Sequence, residues 1–161
     1  MSAQAMQALP GDYRSRLSDA DAEVRRIAVM ELPYCDEDDF VDLALAALSD
    51  TSPAVRAEAA KALEGIEEDA VVSALAKALN DSEMPVREAA AASLSELKDP
   101  AMSVHVEPLL DHPDAFTRAA AFRALRELRV PGVFAAALLA LGDAHERVRR
   151  ERSEEHTSEL Q

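Results

Sequence analysis

The sequence contains no tryptophan, one cysteine and only four glycines among its 161 residues. Aromatic residues make up 4% of the chain, whereas apolar residues as a whole make up 48%. A core built mainly from Ala, Leu and Val favours closely packed helices over a β-sandwich, which is usually richer in aromatic and β-branched residues. The scarcity of glycine also argues against a fold with many tight β-turns.

The single cysteine, Cys35, excludes an internal disulfide and fits a reducing compartment. Residues 1–17 have neither the basic start nor the apolar run of a secretory signal. No stretch approaches the roughly 18–20 apolar residues that a membrane span requires. We therefore expect a cytoplasmic protein that does not bind a membrane.

The net charge of −14 argues against general nucleic-acid binding, because such binding needs Lys and Arg to neutralise phosphate. The charge is unevenly distributed along the chain. Acidic residues dominate from Asp36 to Asp69, whereas arginines outnumber acids from Asp114 to Glu151. Nucleic acid is therefore not an expected partner, although one end of the chain is basic.

One sequence pattern recurs at a step of 31 residues. The clearest copies are "LSDADAEVRRIAVMEL", "LSDTSPAVRAEAAKAL", "LNDSEMPVREAAAASL" and "LDHPDAFTRAAAFRAL", and a fifth begins with "LGDAHERVRR". One repeated position holds Leu17, Leu48, Leu79, Leu110 and Leu141, and a second holds Arg25, Arg56, Arg87, Arg118 and Arg149. A third holds Asp19, Asp50, Asp81 and Asp143, with His112 in their place in the fourth unit.

Each unit is predicted to contain two amphipathic helices. In the second unit, the apolar stripe of the second helix comprises Val55, Ala59, Ala62, Leu63 and Ile66, and the opposite side comprises Ala57, Lys61 and Glu64. Neither helix can bury its stripe alone, so neighbouring units must stack. The prediction is an all-α protein, a right-handed α-solenoid of two-helix repeats.

The order of helix, Leu-x-Asp loop and Val-Arg-x-x-Ala-x-x-x-Leu helix resembles the HEAT repeats of the bilin-lyase-like type. The resemblance covers about Leu17 to Arg150. It implies a stacked array whose second helices line a concave face, and it implies little about function, because such repeats occur in many unrelated proteins.

The repeat stops at "RSEEHTSELQ", residues 152–161. Where earlier units have alanine and leucine in the second helix, this segment has Arg152 and His156. The segment also resembles, codon for codon, the translation of a widely used short-read sequencing adapter. We therefore expect residues 1–151 to form one array of about four to five units, truncated at its C-terminal end, and residues 152–161 to be a non-native tail.

The repeated Asp and Arg residues are interpreted as structural, because a catalytic pair is not needed in every unit. Asp is expected to cap the second helix, and Arg is expected to pair with an Asp of its own or the adjacent unit. This Asp/Arg ladder comprises Asp19, Arg25, Asp50, Arg56, Asp81, Arg87, Arg118, Asp143 and Arg149.

Three local features have a possible chemical role as well as a structural one. The "CDEDD" segment, residues 35–39, is either a cation site or the acidic start of a solvent-facing helix, and the second reading is favoured. His105 is expected to be half-buried and hydrogen-bonded rather than a ligand. Pro108 is expected to kink or shorten the first helix of the fourth unit.

The function predicted from the sequence is a non-catalytic scaffold that binds another protein. The predicted binding residues lie on the exposed side of the second helices: Arg26, Lys61, Glu64, Glu88, Arg123, Arg126 and Arg150. No cofactor, metal site or catalytic residue is predicted, and the chain is expected to be a monomer.

The alternative is a lyase or hydroxylase subunit. The fold resembles deoxyhypusine hydroxylase, a family that binds iron through several His-Glu dipeptides, but here only His145-Glu146 occurs, in a loop. Bilin lyases, the other related family, have no compact motif to compare. The sequence leaves this alternative open.

Overall fold

The computed structural model describes residues 12–34 and 39–132, and this part of the chain contains helices and loops but no strand. The α-helices are α1 (Asp12–Leu17), α2 (Ala22–Glu31), α3 (Phe40–Ala47), α4 (Pro53–Ala62), α5 (Asp69–Ala78), α6 (Met84–Ser95), α7 (Ser103–Val106) and α8 (Ala115–Glu127). Short 3₁₀ segments cover Leu32–Tyr34, Pro100–Met102 and Glu107–Asp111. The predicted all-α fold is therefore confirmed.

The helices form pairs that stack in chain order. Helices α1, α3, α5 and α7 are the first helices of four units, and each contacts the second helix of its unit, α2, α4, α6 or α8. The second helices also contact one another in series, from α2 to α8, and α5 contacts both α3 and α7. Stacking at a fixed period makes the described chain an α-solenoid.

Alanine allows the second helices to approach closely. Ala59, Ala90 and Ala121 occupy the same position in successive units, and all three are fully buried between helices. Leucines four residues later, Leu63, Leu94 and Leu125, are also fully buried. The core is thus a repeated layer of small and large side chains, which bury their apolar surface only when the next unit is in place.

One residue of the predicted helix wheel is misplaced. The wheel predicts that Ala57 shares the exposed side of the helix with Lys61 and Glu64, yet Ala57 is buried, while the other two residues are exposed. Ala57 belongs to the hydrophobic core because α4 lies between α2 and α6 and is covered on two sides. A single apolar stripe underestimates the buried width of such a helix.

The fourth unit is irregular, as its proline predicts. Helix α7 has only four residues and passes directly into the 3₁₀ segment Glu107–Asp111, which contains Pro108. Proline has no backbone N–H and its ring clashes with the preceding helical turn, so a regular helix cannot continue through it. The expected shortening of this helix is confirmed.

The predictions for Asp143, Arg149, Arg150 and His145-Glu146 lie outside the described residues, as do those for the tail 152–161 and for most of the "CDEDD" segment.

Candidate protein-binding surface

The Asp/Arg ladder connects neighbouring units through paired hydrogen bonds. Arg25 donates from Nε and Nη2 to the two carboxylate oxygens of Asp50, both at 2.8 Å. Arg56 donates in the same way to Asp81, at 2.7 and 2.8 Å. In both cases the arginine of one unit binds the aspartate of the next. Bidentate contacts of this kind are among the stronger hydrogen bonds in proteins and fix the orientation of both groups.

The same arginines also hold the loop of their own unit. Arg56 donates from Nη1 to the backbone carbonyls of Asp50 and Thr51, at 2.9 and 3.3 Å. Arg25 and Arg118 bind the corresponding carbonyls of their own loops. One guanidinium therefore fixes a loop and, where an aspartate follows, the next unit as well.

The aspartates do not cap the second helix in the way expected from the sequence. The Asp50 carboxylate accepts a hydrogen bond from the backbone N–H of Ser52, at 2.7 Å, and Ser52 is itself the N-cap residue of α4. Asp81 accepts from Glu83 in the same way, at 2.9 Å, and Asp19 makes the equivalent bond in the first unit. The aspartate thus shapes the turn that precedes the helix, a role that Asp commonly has in loops.

Pairing shifts the pKa of each charged group toward its charged form. Hydrogen bonds from Arg25 lower the pKa of Asp50, and hydrogen bonds from Arg56 lower the pKa of Asp81, in each case against the opposing effect of burial. The same contacts raise the pKa of both arginines. The two ion pairs are therefore part of the folded state at neutral pH.

We call each contact from an arginine to the aspartate of the next unit a rung. The rungs Arg25–Asp50 and Arg56–Asp81 are closed, whereas the third, from Arg87 to position 112, is open. His112 stands where an aspartate would accept hydrogen bonds from Arg87, and it supplies no carboxylate. The turn that precedes α8 nevertheless keeps its hydrogen bond, because Nδ1 of His112 accepts from the backbone N–H of Asp114, at 3.1 Å. The guanidinium of Arg87 lies over the ring of Phe116 instead, 5.4 Å from the ring centroid.

Of the described residues predicted to bind a partner, five lie on the second helices and Glu64 lies in the turn that follows α4, and we call this set the second-helix face. Its described members are Arg26, Lys61, Glu64, Glu88, Arg123 and Arg126. Lys61, Glu64 and Glu88 are exposed, and the three arginines are partly exposed.

Charges at the α2–α4 end of this face are paired with one another. Arg26 contacts Glu23 of its own helix at 2.7 Å and Glu58 of α4 at 3.4 Å. Lys61 lies 3.7 Å from the same Glu58 carboxylate. These acids raise the pKa of Arg26, first through the hydrogen bond with Glu23. Glu58 is not among the binding residues predicted from the sequence, although it lies three residues before Lys61 and one repeat plus one residue after Arg26.

The α8 end of the face is basic. Arg123 and Arg126 lie three residues apart on α8, and Arg126 donates to Glu127 at 3.0 Å. Residues spaced in this way lie on the same side of a helix. The members of the second-helix face therefore change along the array, from charges of both signs near α2 and α4 to two arginines on α8.

The remaining candidate features have structural partners. His105 is half-buried, and its Nε2 lies 2.8 Å from the Asp69 carboxylate, so the expected hydrogen-bonded histidine is confirmed. Asp39, the last acid of the "CDEDD" segment, pairs with Arg14 of α1. Within residues 12–34 and 39–132, no group of His, Cys, Asp or Glu side chains is arranged to hold a metal ion.

Stacked helix pairs with a charged stripe on the second helices define an α-helical repeat protein. The family model for HEAT repeats matches residues 13–95, 41–126 and 73–156. The chain therefore belongs to the HEAT-repeat family. Among the helices that the structure describes, none combines the length and apolar character needed to cross a membrane.

Several solved structures share the fold. One is the complex of CpcE and CpcF of phycocyanin lyase from Nostoc sp. PCC7120, with 23% identity over 94% of this chain and 77% of that chain, at a TM-score of 0.54. A designed armadillo repeat protein in complex with the peptide (KR)4 has 17% identity over 90% of this chain and 79% of that chain, at a TM-score of 0.55. At these identities the likeness concerns the fold alone. No match is found among curated protein sequences.

Proposed function

We propose that this protein is a non-catalytic scaffold that binds another protein through its second-helix face. The observation that carries the proposal is the row of exposed charged side chains along successive second helices, above a fully buried alanine layer: Lys61 on α4, Glu64 in the turn that follows α4, and Glu88 on α6. Helical repeats of this kind provide extended binding surfaces, and complementary charge supplies specificity on such surfaces.

The partner is expected to present an acidic segment to the α8 end. At α2 and α4, Glu58 lies beside both Arg26 and Lys61, so this part of the face presents charges of both signs. At α8, Arg123 and Arg126 form a basic patch on a chain whose net charge is −14. An acidic segment would be attracted to this patch and repelled by most of the remaining surface.

The structural relatives support binding of a protein or peptide. The designed armadillo repeat protein was solved with the basic peptide (KR)4, and CpcE and CpcF were solved as a complex of two proteins. An array with the same architecture and a basic patch is suited to a peptide of the opposite charge.

The test is charge reversal at the α8 end. Arg123→Glu combined with Arg126→Glu should reduce recovery of the bound partner in quantitative affinity capture from the source cell and leave the helical circular dichroism unchanged. Lys77→Glu combined with Lys98→Glu is the matched control, because both lysines are exposed and lie off the second-helix face. Equal recovery with both double variants would contradict the proposal.

A lyase subunit remains the second candidate, and the likeness to the phycocyanin lyase complex favours it. The two functions differ in what the purified protein should bind. A lyase subunit should show visible absorbance after incubation with a linear tetrapyrrole, whereas a scaffold should not. Elemental analysis of the purified chain tests the hydroxylase form of this candidate in the same way.

A further inference from the structure

Arg87 uses few of its hydrogen-bond donors. Arginine has five N–H donors, and in the closed rungs Arg56 uses its Nε, Nη1 and Nη2 groups for strong contacts with oxygen. Arg87 has one hydrogen bond within the described residues, from Nη2 to the sulfur of Met84, at 3.6 Å. Its Nε is buried and has no acceptor in this part of the chain.

The cause is the residue at position 112. An aspartate at this position would present two oxygens in one plane, matching the Nε–Nη2 edge of a guanidinium, as Asp81 does for Arg56. His112 has no such pair of oxygens, and its Nδ1 is occupied by the backbone N–H of Asp114. The loop geometry is thus preserved, while the carboxylate is missing.

The surroundings hold the guanidinium in place. The Phe116 ring, which is itself buried, lies beneath the guanidinium of Arg87, with 5.4 Å between the guanidinium carbon and the ring centroid. A cation over an aromatic face is attracted to it. Arg87 as a whole is partly exposed and Met84 beside it is exposed, so the side chain lies at the surface although its Nε is buried.

Nearby acids determine which anion is suitable. Asp81 and Asp114 both lie close enough to interact electrostatically with Arg87. Both carboxylate oxygens of Asp81 accept from Arg56, and Oδ2 of Asp114 accepts from the backbone N–H and the hydroxyl of Thr117. Their negative charge disfavours a dianion such as phosphate and leaves a singly charged carboxylate as the better match.

We propose that the Nε–Nη2 edge of the Arg87 guanidinium, between the α5–α6 loop and the start of α8, is a binding site for one carboxylate group from outside the chain. This carboxylate binds the Nε–Nη2 edge of Arg87, the same edge that the next aspartate binds in Arg25 and Arg56. The site lies among the loops that precede the second helices and contains no residue of the second-helix face. It can therefore bind a carboxylate whether or not that face binds a protein. The carboxylate is either a free small acid or an acidic side chain of a bound peptide.

The experiment observes the Nε–H groups of arginine by ¹⁵N–¹H NMR in the full chain. Sodium acetate, a blocked Gly-Glu-Gly peptide and sodium phosphate are each titrated against sodium chloride at constant ionic strength. Arg87→Lys identifies the Arg87 signal, and the Arg56 signal serves as an internal control. We expect a saturable shift of the Arg87 signal with acetate or the peptide, a smaller one with phosphate, and none at Arg56. The stronger of the first two responses distinguishes free acid from peptide.

His112→Asp provides the decisive variant, because it supplies the missing carboxylate within the chain. In this variant the Arg87 signal should resemble that of Arg56 without any ligand and should no longer respond to acetate, and the melting temperature should rise. Ala92→Asp, which adds the same charge at an exposed position of α6, should keep the acetate response. An Arg87 signal that responds no more to acetate and peptide than to chloride, or a response that persists in His112→Asp, would overturn the proposal.

Discussion

The hydroxyl of Ser93 in α6 donates a hydrogen bond to the backbone carbonyl of Ala60 in α4, at 2.8 Å, and both residues are buried. Ala60 lies in the last turn of α4, where carbonyl groups have no partner within the helix. A side chain of the third unit thus satisfies the helix end of the second unit. The contact is specific to this interface, because the positions equivalent to Ser93 are Glu31, Ala62 and Ala124.

Ser93→Ala should therefore destabilise the array. The change leaves a buried carbonyl without its side-chain donor, which costs about 1–3 kcal/mol, or a fall of roughly 2–12 °C in melting temperature for a chain of this size. Ser95→Ala is the matched control in the same helix, because Ser95 donates only to Ala91 of its own helix, at 2.8 Å. Thermal unfolding followed by circular dichroism should separate the two variants, and equal melting temperatures would contradict the assigned role.

The alanine layer gives a second prediction. Ala90 is fully buried where α6 packs between α4 and α8. Ala90→Leu should overpack this interface and cost about 1–3 kcal/mol. Ala92→Leu adds the same side chain at an exposed position of the same helix and should change stability by no more than about 0.5 kcal/mol. Urea unfolding of both variants is the measurement, and a wild-type midpoint for Ala90→Leu would argue against the close approach of these helices.

The paired hydrogen bonds between Arg56 and Asp81 give a third prediction. Their side chains are only 15% and 14% exposed, so breaking the pair leaves a charge with little access to water. Arg56→Met should cost about 1.5–3 kcal/mol, as expected for hydrogen bonds to a charged group. A double-mutant cycle with Asp81→Ala should give a coupling energy of about 0.5–3 kcal/mol.

The exposed pair Glu96–Lys98 is the control for this cycle. Its atoms are 3.9 Å apart, and its side chains are 55% and 69% exposed. Pairs of this kind contribute little because water and salt screen them. Lys98→Ala should leave the unfolding midpoint unchanged, and a coupling energy near zero for Arg56 and Asp81 would show that the closed rung does not stabilise the array.

The repeat made much of this fold predictable. Core positions such as Ala59 and Leu63 recur every 31 residues and have the helical spacing of an apolar stripe, so their burial follows from the sequence alone. Arginine and aspartate recur in the same register, but the sequence left open whether Arg56 pairs within its unit or with the next. That choice depends on how the units stack, and the structure places Arg56 on Asp81 of the next unit.

Contacts that occur in only one unit could not be predicted. Ser93 donates to Ala60, and Glu58 contacts Arg26 of the preceding unit as well as Lys61 of its own helix. The contacts between units depend on the distance and rotation between neighbouring second helices. A helix wheel contains neither quantity. The same limitation placed Ala57 on the wrong side of α4, since a wheel does not show that a middle helix is covered by two neighbours.

The last prediction concerns how the stability of the fold depends on pH. Hydrogen bonds from arginine lower the pKa of Asp50 and Asp81 in the folded chain below the ordinary value of 3.8. A carboxyl group with a lower pKa in the folded than in the unfolded state stabilises the fold above the unfolded pKa, and this contribution is lost as the pH falls toward the folded pKa. The free energy of unfolding should therefore decrease as the pH is lowered below about 4.

Asp81→Asn removes one of these titrating groups while keeping the shape of the side chain. The variant should be less stable than wild type at pH 7. The difference should shrink as the pH falls below about 4, because the Asp81 carboxyl group is protonated in the unfolded wild-type chain at a higher pH than in the folded chain. Glu96→Gln, at an exposed position, should follow the wild-type curve at every pH. Urea unfolding between pH 7 and pH 3 measures all three proteins. A constant difference between wild type and Asp81→Asn across this range would mean that the charge of Asp81 does not contribute to stability, because only a contribution from the ionised form disappears on protonation.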